Sequence, residues 1–396
     1  MKLRPMMKVL RRFAVLLLAV ASTTPAALRA QELSLSGGGA GLWAQHGRPK
    51  FRVNRIAVNG SGKNAKIEFV LTNGAKRSLE GKASGQGESS FFWKISRAGN
   101  SKAQGSVWIG TKTSDEVSAA YASGTIEGQP FLAQFNAIPT VRLNFLTEGS
   151  GAWARADGKG DELKLSGFGL MSDIQAKASA VFFLADGSHR RFTGRVKKRI
   201  TKPRAVIVAL QNAGEANASG ELRVRFTEQN HIVSVTGPGK LDGQPFKINF
   251  EAALEAAERA EVFEEKLGTL VEAKGKVAKG DSNTQFTAWS DNTGVRYVEA
   301  LVDQGDYGSS HRKLFYESGK LVFFSEKGQV RDTSSKAQGR MNLVETSISF
   351  SSLGKVEAAS KMLNGKPAKL TPYDAPSVVE YAEMVRKAAE ESKRTR

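Results

Sequence analysis

One run of cations, from His189 to Ile200, has the residue types and spacing for directional chemistry. If this run is a β-strand, alternate side chains share a face and recur at about 6.6–7 Å along it. Cations at that spacing would form a ladder suited to a linear or clustered polyanion. The sequence therefore predicts polyanion binding by six residues, namely Arg191, Arg195, Lys197, Arg199, Lys202 and Arg204.

The alternative interpretation of this run is that its cations only keep the strand soluble. Exposed strands commonly carry Lys and Arg for this reason, and edge strands use them against aggregation. In either case Phe192 and Val196 occupy the opposite face, where they can enter a core. The run predicts a strand, and its function stays a hypothesis.

Signals for other chemistries are weak. The four histidines show no metal-binding spacing, no Gly-x-Ser-x-Gly motif is present, and there is no cysteine. We therefore predict no cofactor and no metal site, and we assign no catalytic residue. A pair of catalytic carboxylates needs no local motif, so the question of an enzyme stays open, with a non-enzymatic protein favoured.

An internal duplication organises most of the chain. Gly128-Gln129-Pro130-Phe131 returns as Gly243-Gln244-Pro245-Phe246, 115 residues later, and Trp43 in its glycine-rich context returns as Trp153, 110 residues later. A period above 100 residues suits a whole domain copied in tandem. We expect one copy at residues 31–138 and the other at residues 139–250.

Each copy reads as many short strands separated by glycine-containing turns. Glu127-Gly128 and Asp242-Gly243 are typical of two-residue hairpin turns. This pattern predicts a mainly β protein with two tandem duplicated antiparallel β-sandwich or small β-barrel domains.

Gly41-x-Trp43 and Gly151-x-Trp153 resemble the Gly-x-Trp sequence that opens the first strand in lipocalin-like proteins. The resemblance covers three residues of each copy and implies a barrel, although each copy is short for a barrel that holds a ligand. The alternative is that both tryptophans simply pack in a core.

The remaining residues, 251–396, predict an α+β domain. Residues 251–267, rich in Ala and Glu, favour a connector helix, and an antiparallel meander follows. An amphipathic helix closes the chain, with Pro376 in its first turn and a capping box from Ser377 and Glu380. We expect its apolar face to pack on the preceding sheet; the alternative is membrane binding.

The first thirty residues predict a secretory signal peptide. Basic residues precede an apolar run, residues 13–21, that is too short to span a bilayer, and Ala30 ends a plausible cleavage site. We therefore expect a periplasmic or secreted protein with no transmembrane segment after cleavage.

The positive charge is concentrated in the duplicated half. Of the formal net charge of +19, residues 31–138 carry 13 basic and 7 acidic residues, residues 139–253 carry 17 and 11, and residues 254–396 carry 22 and 21. Such a field favours polyanions.

Three functions remain open on this basis. We favour a non-enzymatic binding or scaffolding protein for an anionic envelope component, such as lipopolysaccharide, anionic lipid or an acidic glycan. An exported protein seldom meets nucleic acid, which is therefore not favoured. The alternatives are an envelope polysaccharide hydrolase with unidentified carboxylates and a protein–protein adaptor or inhibitor.

Overall fold

The computed structural model describes residues 32–61, 63–87, 89–156, 162–214, 216–331, 339–372 and 374–394, so the predicted signal peptide lies outside them. The chain forms two compact units. Among the described residues, the first unit comprises those up to Val224 together with Ser234–Ala252, and the second comprises Arg225–Val233 with those from Ala253 onward. Among the described residues no helix is both long and apolar enough to cross a membrane.

The first copy is a closed antiparallel barrel in which each strand pairs with the next and β1 pairs with β8. Its eight strands are β1 (Glu32–Gln45), β2 (Phe51–Ser61), β3 (Asn64–Leu71), β4 (Lys76–Gly87), β5 (Ser90–Ala98), β6 (Ser101–Thr111), β7 (Val117–Ile126) and β8 (Gln129–Asn136).

The second copy is a second closed barrel of the same strand order, in which β16 pairs with β9. Its strands are β9 (Val141–Arg155), β10 (Leu163–Asp173), β11 (Lys177–Leu184), β12 (His189–Thr201), β13 (Arg204–Ala213), β14 (Ala216–Phe226), β15 (Ile232–Leu241) and β16 (Gln244–Ala252).

Equivalent aromatic side chains fill the two barrels. Trp43 packs against Phe69 and Phe131, with ring centroids 5.5 and 5.2 Å apart. Trp153 contacts the equivalent rings of Phe182 and Phe246, at 6.5 and 5.3 Å. Both tryptophans are therefore core side chains, and the aligned positions of the duplication contact equivalent aromatic residues.

The matching turns also have the predicted geometry. Glu127 and Gly128 have φ angles of 52° and 78°, and Asp242 and Gly243 have 47° and 80°. A type I′ turn needs positive φ at both central residues, which glycine adopts without strain and which Asp or Glu adopts at a cost. Each turn joins the last two strands of its barrel.

The second unit contains an open eight-stranded antiparallel sheet in sequential order. Its strands are β17 (Val271–Lys279), β18 (Ser282–Asp291), β19 (Gly294–Asp303), β20 (Gly308–Glu317), β21 (Lys320–Arg331), β22 (Met341–Phe350), β23 (Val356–Leu363) and β24 (Lys366–Ala368). Its helices are α1 (Ala256–Glu264) and α2 (Asp374–Arg394).

The two helices pack against different sets of sheet residues. Ala382, Val385 and Ala389 of α2 are buried in a cluster with Leu314 and Ile348. The apolar face of the terminal helix thus packs on the sheet, as predicted. A separate cluster joins Ala256 and Ala260 of α1 to Tyr297, Phe315 and Val322.

The fold class is confirmed, and both copies are barrels. The helix termini differ from the prediction: strand β16 continues to Ala252, so α1 covers only the middle of the predicted connector. Helix α2 begins at Asp374, whose Oδ2 accepts the N–H of Thr371 at 2.7 Å. The predicted capping box is therefore wrong, because Ser377 already lies inside the helix.

Candidate polyanion-binding surface

The cationic run forms strand β12, as predicted, and its first half has the predicted alternation. Phe192 is fully buried in the second barrel, where its ring lies 5.3 Å from that of Trp153. Arg191 and Arg195 therefore point away from the core. The pairing with β11 continues without a break from His189 to Arg195, so this part of the strand has a single register.

A β-bulge interrupts the predicted ladder. Val196 pairs with Val208, but the next pair is Lys198 with Ile207, so Lys197 is an extra residue in β12. Arg199 consequently lies opposite Val206, on the side of the strand that Phe192 and Val196 occupy. The expectation that Arg199 continues the outer face is therefore wrong, because a bulge reverses the alternation beyond it, whereas Lys197 itself is exposed.

Arg191 belongs to the contact between the two barrels. Its guanidinium lies 5.9 Å from the ring centroid of Tyr121 in the first barrel, and its Nε donates to Ser179 Oγ at 3.2 Å. The Tyr121 hydroxyl contacts the same Ser179 oxygen at 3.2 Å. Arg191 is thus a structural cation, half-buried and already bound.

The other predicted residues have varied surroundings. Arg195 donates to the carbonyl of Gln175 at 3.2 Å, and Lys197 forms an exposed ion pair with Glu221 at 2.7 Å. Lys202 lies in the turn after β12, Arg204 is the first residue of β13, and the Lys202–Pro203 peptide bond between them is cis.

Arg199 lies within the electrostatic influence of a cation that the sequence does not single out. Burial and the charge of Arg142 lower the pKa of Arg199. Arg142 is an exposed residue near the start of β9, more than fifty positions earlier in the chain. Sequence reasoning missed this proximity because it depends on how the barrel closes.

A compact cationic surface remains on the outer side of β11 and β12. Lys177 lies directly opposite Arg195, and Lys198 takes the next outward position beyond Val196. All three are exposed. We call Lys177, Arg195 and Lys198 the β12 patch. Of these three residues, only Arg195 was predicted to bind a polyanion. The cross-strand register brings Lys177 beside it, and the bulge turns Lys198 outward, and neither effect can be read from the sequence of β12.

The charges of the β12 patch are arranged differently from those of the sheet in the second unit. There, cations lie opposite glutamates: Arg312 opposite Glu326, with Nε 2.7 Å from Oε1, and Lys327 opposite Glu345, with Nζ 2.7 Å from Oε1. Opposite charges across a ladder stabilise it and like charges destabilise it. Like charges thus lie opposite each other at Lys177 and Arg195, and the nearby Asp173 carboxylate accepts the backbone N–H of Lys177 at 2.8 Å.

The second barrel is held against the first by a largely buried polar network. Gln134 Nε2 donates to Asn144 Oδ1 at 3.0 Å and to the carbonyl of Phe145 at 2.9 Å. Asn144 Nδ2 donates to the carbonyl of Gly41 at 3.2 Å. The apolar side chains of Leu132 and Val181 belong to one buried cluster beside it. The β12 patch is therefore carried on a barrel with a fixed neighbour.

A separate acidic cavity of about 790 Å³ lies in the second unit. Helix α1 lines it with Glu258, Glu261 and Glu264. His231 Nδ1 is 3.1 Å from Glu258, and Lys313 donates to Glu264 at 3.0 Å. Burial raises the pKa of Glu261, which is the property that a general acid needs.

Within the described part of the chain, no group of three or more His, Cys, Asp or Glu side chains is arranged to hold a metal ion. Comparisons of the chain with protein-family models, with curated proteins and with solved structures found no match.

Proposed function

We propose that this chain is an exported, non-enzymatic binding or scaffolding protein for an anionic envelope component, which it binds through the β12 patch. The observation that carries the proposal is the direct opposition of Lys177 and Arg195, with Lys198 beside them on the same outer face. A bound phosphate or carboxylate would turn this repulsion into attraction, because ionised hydrogen-bond partners make the stronger contacts.

The location of the patch supports a binding role. Its three cations are exposed on strands of a barrel whose interior is packed with aromatic rings. Their backbone positions are therefore fixed, and a ligand need only order the side-chain ends. The duplicated half also carries nearly all the excess positive charge beyond the leader, which speeds encounter with polyanions.

The test is binding of residues 31–396 to lipopolysaccharide vesicles, measured by co-sedimentation beside neutral phosphatidylcholine vesicles. We expect the triple variant Lys177→Ser, Arg195→Ser, Lys198→Ser to bind roughly a hundredfold more weakly, since each cation near an anionic surface contributes about 1 kcal/mol. Equal binding by the triple variant and the unmodified chain would overturn the proposal.

A matched control removes the same charge elsewhere on the second barrel. Lys164, Lys240 and Lys247 are exposed residues of β10, β15 and β16, and their simultaneous change to Ser also lowers the net charge by three. We expect this control to keep most of the affinity. An equal loss in both variants would show that only total charge matters.

The hydrolase alternative has one observation in its favour, the raised pKa of Glu261 in the acidic cavity. It predicts turnover of an envelope polysaccharide that Glu261→Gln abolishes. Under the proposed binding function, reducing-end release from such a polysaccharide stays at background, and the variant binds lipopolysaccharide vesicles like the unmodified chain.

A further inference from the structure

A second feature on the outer side of the first barrel combines an exposed aromatic ring with two exposed lysines. Phe92 of β5 is 40% exposed, an unusual position for a phenylalanine in a barrel whose other rings are largely covered. Its neighbours across the ladder are Gly85 on one side and Trp108 on the other. The next residue, Trp93, is buried in the core, so Phe92 faces outward.

Gly85 leaves the side of the Phe92 ring open. A Cβ placed on Gly85 would lie 3.7 Å from the ring and would meet no atom of any other residue within 4 Å. The backbone of β4 thus forms a shallow ledge beside an exposed aromatic face.

Trp108 closes the other end of this ledge and is itself held firmly. Its ring centroid is 6.5 Å from that of Phe92. It stacks on Tyr121 at 5.5 Å and contacts the His189 ring at 5.5 Å, so both barrels fix its orientation. We call Gly85, Phe92 and Trp108 the aromatic ledge.

Two lysines lie beside the ledge on the same outer face. Lys94 is two residues from Phe92 on β5, about 6.6–7 Å along the strand, and Lys82 of β4 is directly opposite it. Both are exposed, and no described acidic side chain forms an ion pair with either one. As in the β12 patch, like charges face each other across the ladder, which is unfavourable without an anion.

We propose that the aromatic ledge and this lysine pair bind an acidic glycan. One sugar ring would lie over Gly85 with its apolar face on Phe92, and the acid group of the same or the next sugar would lie between Lys82 and Lys94. The inference shares with the proposed function the premise of an anionic ligand, but it assigns another surface and adds a sugar ring as a requirement.

The aromatic ledge is what selects a glycan over other anions. A phosphate chain or a lipid headgroup gains from the lysines but has no flat apolar ring face to place on Phe92. A neutral glycan can stack but gains nothing from the lysines. A ligand that uses both parts must carry a ring and a negative charge within about 7 Å of each other.

The test compares three probes for the full mature chain by calorimetry: polygalacturonate, neutral dextran and inorganic polyphosphate. We expect polygalacturonate to bind, and Phe92→Ala to weaken it at least tenfold while leaving polyphosphate binding unchanged. The double variant Lys82→Ser, Lys94→Ser should weaken the binding of both polygalacturonate and polyphosphate.

A steric variant tests the ledge without removing the ring. Gly85→Val would cover the open side of Phe92 and should reduce polygalacturonate binding to the same extent. Gly38→Val is the matched control, because a Cβ on Gly38 meets nothing within 4 Å, and it should bind normally.

The two proposals fail in different ways. Polygalacturonate binding that survives Phe92→Ala and Gly85→Val overturns the glycan site, and the β12 patch is then judged by its own triple variant. If the β12-patch triple variant loses lipopolysaccharide binding while the ledge variants bind polygalacturonate like the unmodified chain, only the proposed function is supported. Binding of none of the polyanions, lipopolysaccharide included, overturns both.

Discussion

At the scale of single residues, Glu68 shows how the first barrel accommodates its cations. This largely covered carboxylate lies 2.9 Å from Lys66 Nζ and 2.9 Å from Lys76 Nζ. The hydrogen bonds from Lys66 and then Lys76 lower the pKa of Glu68 to about 2, against its own partial burial. One acid therefore pairs with two exposed lysines, in contrast to Lys82 and Lys94, which lie opposite each other.

Because of this ion cluster, the stability of the first barrel should decrease at acid pH. Because the pKa of Glu68 falls on folding, its contribution is fully present above the ordinary value of 4.5 and is lost as pH falls toward 2. We expect Glu68→Gln to unfold at lower urea concentration than the unmodified chain at pH 7, and the gap to shrink below pH 4.5.

Tryptophan fluorescence in urea at several pH values measures this gap, because Trp43 and Trp93 lie in the same barrel core. Glu221→Gln is the control, since Glu221 forms an exposed pair with Lys197. A gap that stays constant down to pH 2 would contradict the assignment.

His189 is the second informative residue. Its ring packs against those of Trp108 and Tyr121, 5.5 and 5.3 Å away, and these two rings stack on each other. Burial, followed by the charges of Arg190 and Arg191, lowers the pKa of His189 to about 4. The folded chain keeps this histidine neutral where the unfolded chain protonates it, so stability falls as pH drops from 6.5 to 4.

A magnetic resonance titration of the His189 ring should therefore show a midpoint near pH 4. The variant His189→Phe keeps an aromatic ring in place and should lose less stability than the unmodified chain between pH 6.5 and 4. A midpoint near the ordinary value of 6.5 would mean that the ring is not enclosed between the barrels.

At the scale of elements, the sequence predicted what depends on local pattern and missed what depends on register. The alternation around Phe192 and the Asp242-Gly243 turn need only neighbouring residues, and both are observed. The bulge at Lys197 and the opposition of Lys177 to Arg195 depend on how three strands align. No signal in β12 alone announces either feature.

The last strands of the two barrels show how duplication can keep a core and change a surface. Phe131 and Phe135 of β8 correspond to Phe246 and Phe250 of β16, and all four are buried. The outward residues differ: Leu132, Gln134 and Asn136 are buried and contact the second barrel, whereas Lys247, Asn249 and Glu251 are exposed. The docking face is therefore present on one copy only.

Glycines on β10 permit this docking, and they give a direct test of it. A Cβ on Gly169 would lie 2.1 Å from Gln134 Oε1, and Gln134 is held by two hydrogen bonds. We expect Gly169→Ala to lower the free energy of unfolding by about 1–3 kcal/mol, the usual cost of leaving a buried polar group without partners.

Urea unfolding of the full chain measures this effect, and Gly38→Ala is the control on an unobstructed outer position. Equal stability of Gly169→Ala and Gly38→Ala would contradict this account, because the absence of a side chain at Gly169 would then not be what allows Gln134 to pack against β10.

At the scale of the whole molecule, charge separates the duplicated half from the rest. Residues 254–396 are nearly neutral, and cross-strand pairs such as Lys327 with Glu345 show how cations there find partners. The barrels carry the excess, with Lys177 opposite Arg195 and Lys82 opposite Lys94. Sequence counts predicted this imbalance, but only the cross-strand register shows where the cations face one another.

The measurement that tests the central claim most directly is a salt series. Affinity of residues 31–396 for lipopolysaccharide vesicles should fall steeply between 50 and 300 mM salt, because the Debye length shortens from about 14 Å to about 6 Å over this range. The triple variant of the β12 patch should bind weakly and show a flatter dependence. An affinity that does not change with salt, in either protein, would contradict binding through the patch and favour the adaptor alternative.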